Sequence, residues 1–296
     1  MPAEWGSPFE VGGGPPVLRG EEAGEGPPVV LCHGLTATRR QVVHGSKVLP
    51  RGGYLTSAFD ARGHGESDPA PEGEGYGYPD LVADLERILE ARAGGGPAVL
   101  AGHSMGGHTI VSFALDNADQ VAGMVLIGPV YNGVVTDEAL AYWDGLADAL
   151  DDGGIDGFLG YLDRQGLDPE WRETVLRFTR QRLEAHRDLR AVAQVLREVP
   201  RSRPFDDMSE LESLDLPALV VASHDLADPG HPYAVAEAYA ERLPRARLIS
   251  EREGESPLAW QGGKLSREIA SFCGEGAVRE RLDSQGAGTA DRRQYP

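Results

Sequence analysis

Ser104 lies in Gly102-His103-Ser104-Met105-Gly106, between an apolar run, Ala98-Val99-Leu100-Ala101, and a small-residue helical stretch from Gly107 to Leu115. A strand that turns sharply into a helix at such a motif holds its serine in a strained backbone conformation, and flanking glycines avoid the clashes that side chains would make. The hydroxyl then stands exposed at a helix N-terminus, whose free N–H groups favour developing negative charge. The chemistry this suits is acyl transfer. The serine oxygen attacks a carbonyl carbon, provided that a neighbouring base removes its proton.

A second stretch supports the same chemistry. The apolar run Val29-Val30-Leu31-Cys32 ends in His33-Gly34-Leu35-Thr36. A His-Gly pair after a buried strand suits a loop whose N–H groups turn toward the nucleophile. The N–H groups of Leu35 and Met105 are therefore the expected oxyanion hole; removing one such donor costs on the order of 10²–10³ in rate. His33 itself reads as a structural histidine bonded to nearby backbone, with direct catalysis as the alternative.

These loops need a scaffold, and the apolar pattern supplies one. Buried strands are expected at Val29–Cys32, Leu55–Phe59, Ala98–Ala101, Gly123–Ile127, Ala218–Ala222 and Arg247–Ile249. Helices are expected at Pro79–Arg92, Ala234–Leu243 and Lys264–Phe272, the first with Leu81, Leu85 and Leu89 on one stripe. Continuous apolar strands alternating with helices predict an α/β fold, a mostly parallel doubly wound sheet covered on both faces. The first 27 residues, rich in Gly, Pro and Glu, have room for one or two short edge strands around Val17-Leu18.

Residues 131–215 break the rhythm. They carry helical stripes (Leu140, Trp143, Leu146, Leu150, then Trp171, Val175, Phe178) and no buried strand. They read as a helical lid insertion in a core formed by residues 1–130 and 216–273, over the carboxyl ends of the strands where open α/β sheets bind ligands. The tail, 274–296, is polar and Gly-rich and reads as disordered.

Composition narrows the partners. The 296 residues carry a net charge of −19, which repels phosphate backbones and anionic lipid, so neither nucleic acid nor membrane is an expected partner. No run of about 18 apolar residues occurs, and the acidic N-terminal stretch lacks the form of a signal peptide. Two cysteines, Cys32 and Cys273, exclude a disulfide framework, and the cytoplasm is the expected compartment. No Cys/His spacing suggests zinc, and the expected chemistry on a small-molecule substrate needs no cofactor and no metal.

Three segments, His33-Gly34, Asp60-Ala61-Arg62-Gly63-His64-Gly65-Glu66-Ser67 and the turn at Ser104, occur in an order and spacing that resembles the α/β-hydrolase superfamily, in its lidded branch of esterase-, lactonase- and peroxidase-like enzymes. The resemblance covers roughly residues 25–275 and is specific to the fold, not to a substrate. It implies that the Asp60–Ser67 segment is structural. It also implies a triad in the chain order serine, acid, histidine. The acid falls in Ser223-His224-Asp225-Leu226-Ala227-Asp228-Pro229-Gly230-His231, with Asp225 favoured over Asp228. The histidine should follow the last strand, yet the chain there reads Gly254-Glu255-Ser256-Pro257, and no histidine occurs after His231. Loss of a triad histidine can cost about 10⁶-fold in rate. Three alternatives stay open: a relocated histidine, His231 or His33; Glu255 as base, its pKa raised beside Asp225; or a pocket that binds a small molecule with little acyl chemistry. A cofactor-free lyase or perhydrolase on the same scaffold is a further alternative. The expected site is thus Ser104, Asp225 and Glu255 with the oxyanion donors Leu35 and Met105.

Overall fold

The computed structural model describes residues 5–224 and 226–289. Its strands are β1 (Ser7–Val11), β2 (Leu18–Ala23), β3 (Pro28–Cys32), β4 (Leu55–Phe59), β5 (Ala98–His103), β6 (Val121–Ile127), β7 (Ala218–Val221) and β8 (Ala246–Ile249). Its helices are α1 (Val48–Arg51), α2 (Tyr78–Ala93), α3 (Met105–Asp116), α4 (Asp137–Asp163), α5 (Arg172–Leu183), α6 (Leu189–Glu198), α7 (Tyr233–Arg242), α8 (Gly262–Cys273) and α9 (Gly276–Thr289).

The eight strands form one sheet in the order β1-β2-β4-β3-β5-β6-β7-β8. β3 to β8 are parallel, and β1 and β2 add an antiparallel hairpin at one edge, where the sequence left room for edge strands. Strand side chains alternate between two cores. Val30, Leu100, Met124, Leu126 and Val220 pack with α2, α3 and α7, while Val29, Leu31, Val99, Val125, Ile127, Leu219 and Val221 pack with α1, α8 and α9. A two-residue period therefore feeds both faces, which is why β3, β6 and β7 are apolar throughout, while β4 carries the buried hydroxyls of Thr56 and Ser57. Cys32 and Cys273 are buried and unpaired, and burial pushes both thiols up to about 12.

Between β6 and β7 stand α4, α5 and α6, which enclose a third core of Leu146, Ala147, Leu150, Phe158, Leu183, Val192, Ala193 and Leu196. The stripe expected on the second insertion helix behaves differently. Trp171 and Phe178 turn to Trp260, in the loop after β8, with ring centroids 5.9 and 6.3 Å apart, and Phe178 stays 42% exposed.

The disordered tail expected from residue 274 onward is corrected by α9. A polar, Gly-rich stretch carries only two large apolar residues at helical spacing, Val278 and Leu282, yet both are buried against Phe272 and the sheet. Arg281 adds hydrogen bonds to the carbonyls of Val121 and Ala118. Residues 290–296 lie outside the described residues.

Candidate active site

Ser104 occupies the junction of β5 and α3 with φ 48° and ψ −114°, a region that L-residues rarely enter. Its neighbours explain how the turn is held. A Cβ on Gly102 would be driven into the backbone of Gly106, and one on Gly106 into the carbonyls of Cys32 and His33. The Ser104 N–H donates to the carbonyl of Ile127 at 2.9 Å, so that group is spent on the sheet. The N–H of Met105, first residue of the helix, has no acceptor among the described residues.

The loop after β3 lies directly against this turn. A Cβ on Gly34 would stand 2.6 Å from His103 Nδ1. The Leu35 side chain packs both on the cluster that holds Met105 and on the core of the inserted helices. The Leu35 N–H, like that of Met105, has no described acceptor. Both donors expected for an oxyanion hole are therefore unspent. His186, just beyond α5, fastens this loop: its Nε2 bonds the Thr36 carbonyl at 3.0 Å and its Nδ1 accepts the Gly65 N–H at 2.8 Å.

On the other side of the turn, the loop after β7 brings His231 and Asp228 together. His231 Nδ1 lies 2.8 Å from Asp228 Oδ1, and the His231 N–H closes a tight turn on the Asp228 carbonyl at 3.0 Å. The His231 ring packs on His103, the residue before Ser104, with centroids 4.7 Å apart. It rests over Gly128 (φ 55°), at the carboxyl end of β6, where a Cβ would come 3.2 Å from the ring. Burial alone would raise the Asp228 carboxyl, but the His231 pairing, with His103 and Arg182 nearby, holds it at about 2. Burial, together with His231, keeps His103 far below the usual histidine range and hence neutral. His231 and Asp228 retain 19% and 16% exposure, so the ring stays within reach of a bound molecule.

His103, Asp228 and His231 also offer ligand atoms within 4.8 Å of one another. As a cation site the set is poor. Nδ1 and Oδ1 are already spent on each other, and the Arg182 guanidinium acts on both Asp228 and His103. The arrangement fits a proton better than a divalent ion.

Two sequence candidates fall elsewhere. Glu255 is exposed and ion-paired with Lys264 at 2.6 Å, which with Arg252 nearby lowers its pKa. It has no described contact with Ser104, Asp228 or His231, because the loop after β8 turns it outward. The buried acid of that loop is Glu251, whose Oε1 accepts the His224 N–H and whose Oε2 accepts the Leu258 N–H. His33 has the backbone-bonded setting of its structural reading, and the alternative of His33 as base is set aside. Its Nδ1 bonds the Gly34 carbonyl at 2.8 Å and its Nε2 accepts the Ala61 N–H at 2.9 Å, so neither nitrogen is free. Asp225 lies outside the described residues. In the Asp60–Ser67 segment, Asp60 accepts the Arg39 and Glu66 N–H groups, and His64 Nδ1 bonds the Arg62 carbonyl. Glu251 and Arg182 escaped the sequence reading; an acid in the last strand's loop and an arginine among exposed arginines carry no periodic signal.

Known proteins share this arrangement of elements. Residues 27–215 match the family model described as the alpha/beta hydrolase fold. The chain is 34% identical over 102 residues to the mouse sn-1-specific diacylglycerol lipase ABHD11, covering 34% of this chain and 32% of that protein. It is 37% identical over 111 residues to the 2-(acetamidomethylene)succinate hydrolase of Mesorhizobium japonicum, covering 37% of this chain and 38% of that one. The chain thus spans well under half the length of these relatives. Among solved structures, an enol-lactonase from Burkholderia xenovorans LB400 superposes with a TM-score of 0.72 at 21% identity, over 90% of this chain and 100% of that one. A thermophilic esterase from Thermogutta terrifontis does so with a TM-score of 0.69 at 22% identity, over 94% and 98%.

Proposed function

We propose, from the premise that the chain belongs to the alpha/beta hydrolase fold family, that the protein is a serine hydrolase of small esters or lactones whose histidine has moved onto the acid loop. Ser104 is the nucleophile, His231 the base and Asp228 the acid that orients it. The observation that carries this reading is the Asp228–His231 pair packed on His103, the residue preceding the strained serine. The three helices between β6 and β7 act as the lid over the site.

In this mechanism the Ser104 oxygen attacks the carbonyl carbon while His231 Nε2 takes its proton. Nδ1–H stays on Asp228, which remains ionised and stabilises the imidazolium. The Leu35 and Met105 N–H groups hold the oxyanion. Collapse of the tetrahedral intermediate expels the alkoxide, which takes the proton from His231. A water then repeats the sequence on the acyl-enzyme and releases the acid. Names of relatives, a lipase and an enol-lactonase among them, fit a carbonyl substrate.

The test is covalent labelling. A fluorophosphonate probe followed by peptide mass spectrometry should modify Ser104 in the wild type, fail with Ser104→Ala, and react far more slowly with His231→Ala. Labelling of His231→Ala at the wild-type rate would remove His231 as the base.

A further inference from the structure

Aspartates at the surface neutralise most of the cationic side chains that the inserted helices present there. Arg172 pairs with Asp163, Arg180 with Asp156, Arg197 with Asp148 and Asp151, and Arg201 with Asp144. Arg164, Arg177, Arg190 and Arg203 have no ion pair among the described residues but are exposed, whereas Arg182, in the last turn of α5, is unpaired and turned inward. It makes no ion pair among the described residues. Among the described residues its side-chain hydrogen bond runs from Nη2 to the Thr179 hydroxyl at 3.1 Å, and its buried Nε has no acceptor there.

Its surroundings are those of the candidate site. Its charge is close enough to act on Asp228, His103, His44, His186 and Tyr142. His186, four residues further on, bonds the Thr36 carbonyl in the oxyanion loop. The aspartate nearest in effect, Asp228, has its Oδ1 spent on His231. Although the chain has 47 acidic residues, none of the described ones forms an ion pair with this guanidinium, and Asp228, the acid whose charge reaches it, is committed to His231. A buried charge that is only partly compensated is costly, so a further anionic partner is expected from outside the chain. A planar guanidinium with free N–H groups matches a carboxylate bidentately. A phosphate dianion would call for a further cation or a nest of N–H groups around it, and none is described beside Arg182.

We propose that Arg182 binds a carboxylate of the substrate, so that the compound cleaved at Ser104 carries an acid group beside its scissile ester or lactone carbonyl. This rests on the hydrolase reading above. Such a substrate is supplied by a reaction that esterifies or lactonises one carboxyl of a dicarboxylic compound, and hydrolysis returns the diacid.

The experiment compares p-nitrophenyl hemisuccinate, which is anionic, with neutral p-nitrophenyl pentanoate, in the wild type, Arg182→Lys and Arg182→Gln, all checked for folding by circular dichroism. The wild type should prefer the anionic ester, and the ratio of the two kcat/KM values should fall about 10–100-fold in Arg182→Gln. Arg182→Lys keeps the charge and should retain part of the preference. A wild type that turns over both esters without preference, or Lys and Gln variants with equal ratios, overturns the carboxylate site and leaves the hydrolase reading standing. A second arm titrates monomethyl succinate into Ser104→Ala calorimetrically. Binding there that is lost on adding Arg182→Gln supports the carboxylate site even if neither ester is hydrolysed. Absence of binding overturns it. Inorganic phosphate displacing monomethyl succinate at lower concentration than succinate does also overturns it, in favour of a phosphate site.

Discussion

His231 Nδ1 stands 2.8 Å from Asp228 Oδ1 on a single turn, and the ring it orients packs on the residue before Ser104. A base held in one tautomer by a carboxylate contributes on the order of 10²–10⁴ in rate. His231→Ala should therefore lower kcat for p-nitrophenyl acetate by that order, as should Asp228→Asn. Glu255→Gln should stay within about threefold of the wild type, as an exposed side chain paired to Lys264 has no part in proton transfer. Steady-state turnover of the three variants checks this, and a large loss in Glu255→Gln would return the base to the loop after β8.

The serine turn is set by close backbone contacts. Gly106→Ala should destabilise the protein by about 1–3 kcal/mol or more, because the new methyl group meets the carbonyls of Cys32 and His33 and neither can yield without moving β3. Urea unfolding measures it. A stability equal to the wild type would mean that the turn is looser than the structure has it.

Glu251 joins two loops from inside the protein. Removing its carboxylate in Glu251→Ala strands the Leu258 N–H in a buried setting and frees the His224 N–H at the start of the acid loop. A buried donor left unsatisfied costs about 1–3 kcal/mol. The expected result is a lowered melting temperature together with a lower kcat, since the loop carrying Asp228 and His231 is released; Glu251→Gln, which keeps one acceptor oxygen, should suffer less.

Acid should loosen the contact between the insertion and the oxyanion loop. Burial holds His186 down to about 4, from an ordinary value of 6.5. A lowered folded-state value means that the unfolded chain binds the proton more readily. The stabilisation is therefore complete above pH 6.5 and is lost as pH falls toward 4, with a total of about 3 kcal/mol for that shift. Melting temperatures between pH 7 and 4.5 should decline, and His186→Gln should start lower but decline less steeply. Parallel slopes would assign the acid sensitivity to other groups, of which the buried His33 and His64 are the nearest.

The last helix is expected to be part of the stable unit. Leu282→Ala should cost about 2–5 kcal/mol, the usual range for a buried leucine, since Leu282 is only 4% exposed in the core that also holds Phe272. An unchanged unfolding midpoint would detach α9 from the sheet.

Most of the central strands were legible because they are apolar runs, and the serine turn because only glycine fits at 102 and 106. The helical character of residues 131–215 was legible from its stripes, although Trp171 and Phe178 face Trp260 instead of the insertion's own core. The pairing of His231 with Asp228 was harder to see. It depends on a turn of four residues and on Gly128 leaving space for a ring, and the second is a property of packing across the sheet. Arg182 was hidden because inward and outward arginines of one helix look alike until their partners are known. The tail misled because two apolar residues, too few for a periodic signal, suffice when they meet an already formed core.

With Asp228 as acid and His231 as base, as proposed, the two groups on one short turn alter the mechanics of the site. Where the two groups come from separate loops, thermal motion disturbs both their pairing and their aim. Here the Asp228 carbonyl, the Asp228 carboxylate and the His231 ring form a closed ring of contacts, so displacement of the loop carries them together. The coordinate left to adjust under the proposed mechanism is the distance from that turn to the serine, and the hydrogen bond from the His224 N–H to Glu251 tethers the loop on one side. Under the proposed assignment the segment after β8 is released from chemistry and can drift in sequence without touching proton transfer, as long as Glu251 remains.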